Sequence, residues 1–88
     1  MGSEPSVDDE AKRISRRIGT RIAELRKARG WTQKDLAAKL NCHQQWVSAV
    51  EHGQNLTIHT MVRIARTLGA SWDDLHVDPT SEQSAADK

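Results

Sequence analysis

The stretch TQKDLAAKLNCHQQWVSAVEHG, residues 32–53, has four side chains whose spacing predicts two short helices joined by a tight turn. Ala37 is small at a position where two short helices must touch. Asn41 stands where the turn between them needs a left-handed backbone, which Asn and Gly tolerate best. Val47 and Val50 are apolar where the second helix must be anchored to a core. The spacing predicts a helix over about 32–40, a tight turn over 41–43 and a second helix from Gln44.

This layout resembles the helix-turn-helix of the Cro and phage-repressor family of bacteria and phages, over roughly residues 18–76. The segment LRKARGWTQ (25–33) is similar to the start of the family's second helix. The segment VSAVEHG (47–53) is similar to the end of its recognition helix, and TMVRIARTLGASWDDL (60–75) is similar to its closing pair of helices. The resemblance implies an all-α, five-helix, phage-repressor-like DNA-binding domain, with the helix-turn-helix formed by helices 2 and 3. The segment EHGQNLTIHTM (51–61) also resembles the small controller proteins of restriction–modification systems.

Apolar residues at steps of three and four predict the remaining helices. Helix 1 is expected from near Asp9 to Ala28, with the stripe Ala11, Ile14, Ile18, Ile22 and Leu25. Helix 4 is expected over 58–68, with the stripe Ile58, Met61, Val62, Ala65 and Leu68, and a short helix 5 follows Ser71. We therefore expect a flexible N-terminal segment over 1–8, a helix-turn-helix domain over 9–78 and a disordered acidic tail over 79–88.

The net charge of +1 conceals a strongly uneven distribution of charge along the chain. Residues 12–72 contain twelve basic and three acidic side chains, a balance of +9, between two acidic ends. A basic segment of this kind is typical of a nucleic-acid binder. The alternative is that Lys and Arg only solubilise the surfaces of the helices.

A recognition helix over 44–52 would present the residues near its start to the base edges of the major groove. The predicted base-contacting residues are Gln44, Gln45, Ser48 and Ala49. Glutamine pairs bidentately with adenine, and the methyl group of alanine packs on the methyl group of thymine, so we expect A·T pairs there. Gln44 has the alternative of contacting a phosphate or another side chain.

Phosphate contacts are expected around the starts of helices 2, 3 and 4, because exposed amides at a helix start favour anions. The predicted phosphate-contacting residues are Thr32, Gln33, Lys34, His43, Trp46, Gln54, Asn55 and Thr57. For Gln33 the contact is implied by the resemblance. Trp46 has the equal alternative of packing in the core, and Lys34 that of a solvated surface lysine.

The resemblance also implies a partly buried ion pair between Arg26 and Glu51, which would hold helix 3 against helix 1. It further implies a homodimer on a palindromic operator of double-stranded DNA. The expected dimer interface contains Ile14, Trp72, Leu75 and Val77. Trp72 and Leu75 have the alternative of closing the core of a single chain.

Readings from other classes of protein are less well supported by the sequence. The four histidines are scattered over different predicted elements, and Cys42 and His43 lack further metal ligands at suitable spacing. We therefore expect no enzyme, no metal and no cofactor, and no small-molecule effector is evident. An antitoxin or adaptor, with a protein partner, is the rival function on the same fold.

A single cysteine, no visible signal peptide and no long apolar run indicate a cytoplasmic protein without a membrane span, associated with the nucleoid when bound to DNA.

Overall fold

The computed structural model describes residues 6–76, without the side chains of Trp72 and His76, and every regular element in that range is a helix. The helices are α1 (Val7–Ala28), α2 (Gln33–Leu40), α3 (Gln44–Glu51), α4 (Ile58–Leu68) and α5 (Trp72–His76). The predicted all-α fold of five helices is therefore confirmed. None of the described helices has the length and apolar character that crossing a membrane requires. The predicted tail 79–88 and Val77 lie outside the described residues.

The first helix begins two residues earlier than predicted, at Val7. The hydroxyl of Ser6 accepts a hydrogen bond from the backbone N–H of Asp9 at 3.0 Å and so caps the helix. The acidic residues Asp8, Asp9 and Glu10 occupy the first turn, where negative charge is stabilised by the helix dipole. Residues 7 and 8 are thus helical and do not belong to the expected flexible segment.

A reciprocal capping box starts α2. The Thr32 hydroxyl accepts from the Asp35 N–H at 3.0 Å, and Asp35 Oδ2 accepts from the Thr32 N–H at 2.8 Å. The bond from the Thr32 N–H lowers the pKa of the Asp35 carboxyl, and the Thr32 side chain, Lys39 and Lys34 lower it further. The cap is complete above the usual pKa of the carboxyl and weakens as the pH falls through the lowered value.

At its other end α2 stops as the sequence predicted. Asn41 takes the left-handed conformation (φ 58°, ψ 49°), and its N–H donates back to the carbonyls of Ala37 and Ala38. The turn lets α3 start at Gln44 and pack on α2, with Ala37 only 3% exposed at the contact.

The core is one cluster to which all five helices contribute. Its members are Ile18, Ile22, Leu36, Ala37, Leu40, Val47, Val50, Met61, Ile64, Ala65, Leu68 and Leu75. The predicted stripe of α4 is partly wrong, because Ile58 is 66% and Val62 36% exposed, whereas Ile64 is 1% exposed. The core-facing positions run over 61, 64, 65 and 68, one face of the helix, and Ile58 and Val62 lie to one side of it.

The fifth helix closes the core over α1 and α4. Leu75 is 1% exposed, so it belongs to the core of a single chain, and its assignment to a dimer interface is corrected. Arg21 Nε of α1 donates to the Asp74 carbonyl oxygen at 3.0 Å, which ties the two helices together. Ile14 remains 46% exposed, while the side chain of Trp72 lies outside the described residues.

Gly19 allows α1 and the end of α3 to approach more closely than two helices ordinarily do. A Cβ atom at this position would lie 2.4 Å from the Glu51 carbonyl oxygen and 2.7 Å from that of Val50. Both neighbours are backbone atoms, so no rotamer change relieves the overlap. The contact explains why a buried helical position holds a glycine despite its low helix propensity.

A buried ion pair joins the same two helices about two turns further along α1 than Gly19. Arg26 Nε lies 2.6 Å from Glu51 Oε2, and the two side chains are 8% and 5% exposed. A second guanidinium nitrogen donates to Glu51 Oε1 at 3.1 Å, and the third donates to the Trp31 carbonyl oxygen at 2.7 Å. Gln33 Nε2 completes the network by donating to Glu51 Oε1 at 2.9 Å. Among the described residues, no buried side-chain nitrogen or oxygen lacks a partner.

Replacement of Gly19 by alanine should destabilise the protein, although alanine is the better helix former. The added methyl group meets backbone, so the helices must separate at an expected loss of about 1–3 kcal/mol. Thermal unfolding followed by circular dichroism measures the effect. Thr20→Ala, one residue further on the exposed side of α1, is the control and should leave the melting temperature nearly unchanged. A Gly19→Ala protein that is as stable as this control contradicts the close approach.

Replacement of Glu51 by alanine should lower the free energy of unfolding by about 3–5 kcal/mol, because it leaves a buried guanidinium and the Gln33 amide without their acceptor. The matched control is Glu24→Ala. Glu24 pairs with Arg21 at 3.4 Å on the surface, and its loss should change the stability by less than ~0.5 kcal/mol. Equal urea-unfolding midpoints for the two variants would show that the buried pair does not hold α3.

Candidate nucleic-acid interface

Helix α3 has one buried side and one exposed side. Val47 and Val50 are each 1% exposed and fasten the helix to the core. On the opposite side, Ser48 and Ala49 follow Gln45 at distances of three and four residues. The two glutamines at the start of α3 are exposed, and Ser48 and Ala49 are half-buried. The four residues predicted to contact bases thus lie together on the outward side of one short helix.

Trp46 belongs to the core side of α3. Its indole is half-buried and packs against the hydrophobic cluster, which is one of the two alternatives that the sequence left open. This packing makes Trp46 part of the anchor of α3, together with the two valines. Its contact with a phosphate stays a prediction.

The start of α3 has no side-chain cap. His43 occupies the N-cap position in an extended conformation, but its imidazole makes no capping hydrogen bond. At the starts of α1, α2 and α4 a Ser or Thr hydroxyl fills that role. The first amides of α3 therefore face outward with no capping oxygen on them, in the arrangement that favours an anion.

Two predicted phosphate contacts already have intramolecular roles. The Thr57 hydroxyl accepts from the Thr60 N–H at 3.1 Å and donates to Thr60 Oγ1 at 2.9 Å, and its own N–H donates to the Asn55 carbonyl oxygen at 3.1 Å. Thr57 thus caps α4 and has no donor left for a phosphate. The N–H of Thr32 is likewise held by Asp35, and its hydroxyl accepts from the Asp35 N–H.

Gln33 connects the start of α2 to the buried ion pair. Its side-chain amide donates one hydrogen to Glu51, so the second hydrogen of the same nitrogen is the one that can meet a phosphate. Sequence reasoning assigned the phosphate contact and missed the bond to Glu51, because the two residues are eighteen positions apart. The pattern of the chain contains no signal for that bond.

The remaining predicted phosphate contacts are accessible. Lys34 and His43 are exposed at the starts of α2 and α3, and Gln54 and Asn55 are exposed in the loop between α3 and α4. Asn55 has a left-handed backbone (φ 58°), which turns the loop toward α4. The loop follows the end of α3 in the chain, and His43 stands directly before its start.

Several basic residues that contribute to the +9 charge of the central segment have structural roles. Arg26 is buried in its ion pair, and Arg63 donates to the Leu40 carbonyl oxygen at the end of α2. Two cations lie over the indole ring of Trp31: Lys39 Nζ is 4.5 Å and Arg29 Cζ is 5.3 Å from the centre of the ring. The excess of positive charge therefore overstates the number of cations that are available to phosphates.

The described residues contain no group of three or more His, Cys, Asp and Glu side chains that could hold a metal ion. Cys42 is half-buried next to α2, and burial raises the pKa of its thiol, an effect that Arg63 partly opposes. A raised pKa keeps the residue as a thiol, whereas a nucleophilic cysteine needs a thiolate.

Comparisons with known proteins agree with this geometry. A protein-family model described as helix-turn-helix matches residues 22–75. A protein of Sinorhizobium fredii described as the uncharacterised HTH-type transcriptional regulator y4dJ is 38% identical over 66 residues, which are 74% of this chain and 84% of the relative. The crystal structure of a hypothetical transcription factor, NHTF from Neisseria, superposes on this chain with a TM-score of 0.73. The superposition covers 97% of this chain and 94% of the other, and the two sequences are 22% identical, so the likeness shows a shared fold. The chain therefore belongs to the Cro and phage-repressor type (XRE) helix-turn-helix family of DNA-binding transcriptional regulators.

Proposed function

We propose that this protein binds a palindromic DNA operator as a homodimer and regulates transcription there, with α3 in the major groove. The observation that carries the proposal is the division of α3 into two sides. Val47 and Val50 hold its back, so Gln44 and Gln45 project from a fixed helix into solvent. A helix held in this way fits the width of the major groove and presents its first residues to base edges.

The exposed side chains of α3 suit A·T pairs. Each glutamine amide can donate to N7 of adenine and accept from its N6 amine, which no other base presents in the same pattern. Ala49 offers a methyl group to the methyl group of thymine. The neighbouring Ser48 offers a hydroxyl that can bond to a base edge. We assign the reading of bases to these four residues, with A·T pairs under Gln44, Gln45 and Ala49.

Phosphate contacts on either side of the groove would set the position of α3. We assign them to Lys34 and the second amide hydrogen of Gln33 at the start of α2, and to His43 and the uncapped amides of α3. The hydroxyl of Thr32 and the loop residues Gln54 and Asn55 complete the set. Such contacts supply affinity and orientation but carry no direct information about sequence.

The first test is selection of binding sites from a pool of random duplex DNA. A dimer should enrich a palindrome whose half-sites are about one helical turn apart, ~34–36 Å. Its half-site should contain A·T pairs where Gln44, Gln45 and Ala49 lie. If a folded protein enriches no sequence, the proposal fails, and a protein partner of an antitoxin or adaptor becomes the next target of search.

Two single substitutions should separate base reading from phosphate binding. Gln45→Ala should lose ~1–3 kcal/mol of discrimination at one base pair, with little change at the others. Lys34→Ala should weaken binding to every site equally and reduce the steepness of the salt dependence by about one released ion. Both side chains are exposed, so the fold should be unaffected.

Affinities for a set of single-base operator variants, measured at several salt concentrations, distinguish the two effects. A uniform loss of affinity for Gln45→Ala at all operator variants would remove its base-reading role.

The regulatory function that we propose requires that the protein act in the cytoplasm, at the nucleoid when it is bound to DNA.

A further inference from the structure

One side of α1 faces the end of α3. The residues of this side recur at steps of three and four, and they are Lys12, Arg16, Gly19, Ala23 and Arg26. Gly19 lies against the carbonyl group of Glu51, and Arg26 forms the buried ion pair with the Glu51 side chain. The two members nearest the start of the helix, Lys12 and Arg16, are exposed. We call these two residues the α1 basic edge.

The loop that follows α3 lies directly against the α1 basic edge. Gly53 is the point of contact, because a Cβ atom there would lie 3.0 Å from the backbone nitrogen of Arg16 and 3.0 Å from the carbonyl carbon of Ser15. The next two residues of the loop, Gln54 and Asn55, are exposed and belong to the set that we assign to phosphates. The α1 basic edge therefore continues this part of the proposed phosphate-binding surface onto α1.

No contact within the described chain accounts for the two cations of the α1 basic edge. The first core residue of α1 is Ile18, which follows both of them. Neither Lys12 nor Arg16 forms an ion pair or a side-chain hydrogen bond within residues 6–76. The helix-turn-helix family model starts at residue 22, so both residues also precede the part of the chain that it matches.

We propose that Lys12 and Arg16 bind backbone phosphates of the operator, beside the phosphates that Gln54 and Asn55 contact. Phosphates follow one another at short intervals along each DNA strand, so cations next to one phosphate contact are placed for its neighbours. These contacts add affinity and fix orientation, and they carry no direct information about sequence. The inference rests on the proposed function and adds α1 to its DNA-binding surface.

The two cations should contribute unequally. Asp8 precedes Lys12 by one turn on the same side of α1 and reduces the positive potential there. Arg16 is one turn further from this carboxylate and its backbone touches the loop at Gly53. Replacement of Arg16 should therefore weaken DNA binding more than replacement of Lys12.

The test compares Arg16→Ala and Lys12→Ala with Arg13→Ala. Arg13 is an exposed cation on the same turns of α1, but it shares its side of the helix with exposed Thr20 and Glu24, away from α3. Arg16→Ala and Lys12→Ala should each weaken binding to the operator and to unrelated duplex DNA by the same factor, whereas Arg13→Ala should change neither appreciably. All three side chains are exposed, so the melting temperatures should stay the same.

Salt dependence measures the contact itself. Because one lost phosphate contact lowers the salt slope by about 0.9, the wild type should lose about 3.5-fold more affinity than Arg16→Ala between 50 and 200 mM salt. Arg16→Lys should keep the slope of the wild type, since lysine retains the charge. A slope for Arg16→Ala equal to that for Arg13→Ala, or a loss for Arg16→Lys as large as for Arg16→Ala, would overturn the proposal.

Ethylation interference, in which an ethyl group neutralises one phosphate at a time, locates the contact. At least one phosphate whose ethylation inhibits the wild type should have no effect on Arg16→Ala. This phosphate should lie directly beside one that loses its effect in Gln54→Ala. An interference pattern of Arg16→Ala that equals that of the wild type contradicts the proposal.

The same measurements separate this inference from the proposed function. If the folded wild-type protein selects no operator, the proposed function fails, and the phosphate contacts of α1 fail with it. If the wild type binds an operator and Arg16→Ala behaves as Arg13→Ala does, the proposed function stands and only the α1 contact is wrong.

Discussion

The buried ion pair between Arg26 and Glu51 holds the helices of this protein in their places. It joins the end of α3 to α1, and through Gln33 and the Trp31 carbonyl it also holds the start of α2. A buried charge pair is tolerated only when its remaining hydrogen-bonding groups are satisfied, and here they are. One carboxylate thus fixes the relative positions of three helices, including the proposed recognition helix.

The Gly19 contact sets the distance at which this network works. The backbone of α3 touches α1 at Gly19, so Glu51 reaches the guanidinium in a bidentate arrangement. A larger residue at that position would move the carboxylate outward. Packing and electrostatics therefore act on the same end of α3, whereas its start has no side-chain cap and is free for the phosphate contact that we propose.

Local features of the chain were predictable from the sequence where the cause was itself local. Ala37, Asn41, Val47 and Val50 have the burial or the backbone conformation that their spacing predicted, because a helix-turn-helix imposes those demands over a short distance. The stripe of α4 was misjudged because two faces of that helix are apolar, and only the arrangement of α1, α2 and α5 decides which one is buried. The Gln33–Glu51 bond, the Gly19 contact and the burial of Leu75 depend on tertiary neighbours, and the sequence contains no local sign of them.

The division of labour within α3 has a consequence for how such a protein changes over evolution. The residues that hold the helix, on its core side and at its end, are different residues from those on its outward side. Substitutions at Gln44, Gln45 and Ala49 therefore leave the anchoring contacts in place. Under the proposed function, a lineage with this scaffold acquires a new operator by exchanging a few surface side chains, and it need not pass through an unstable intermediate.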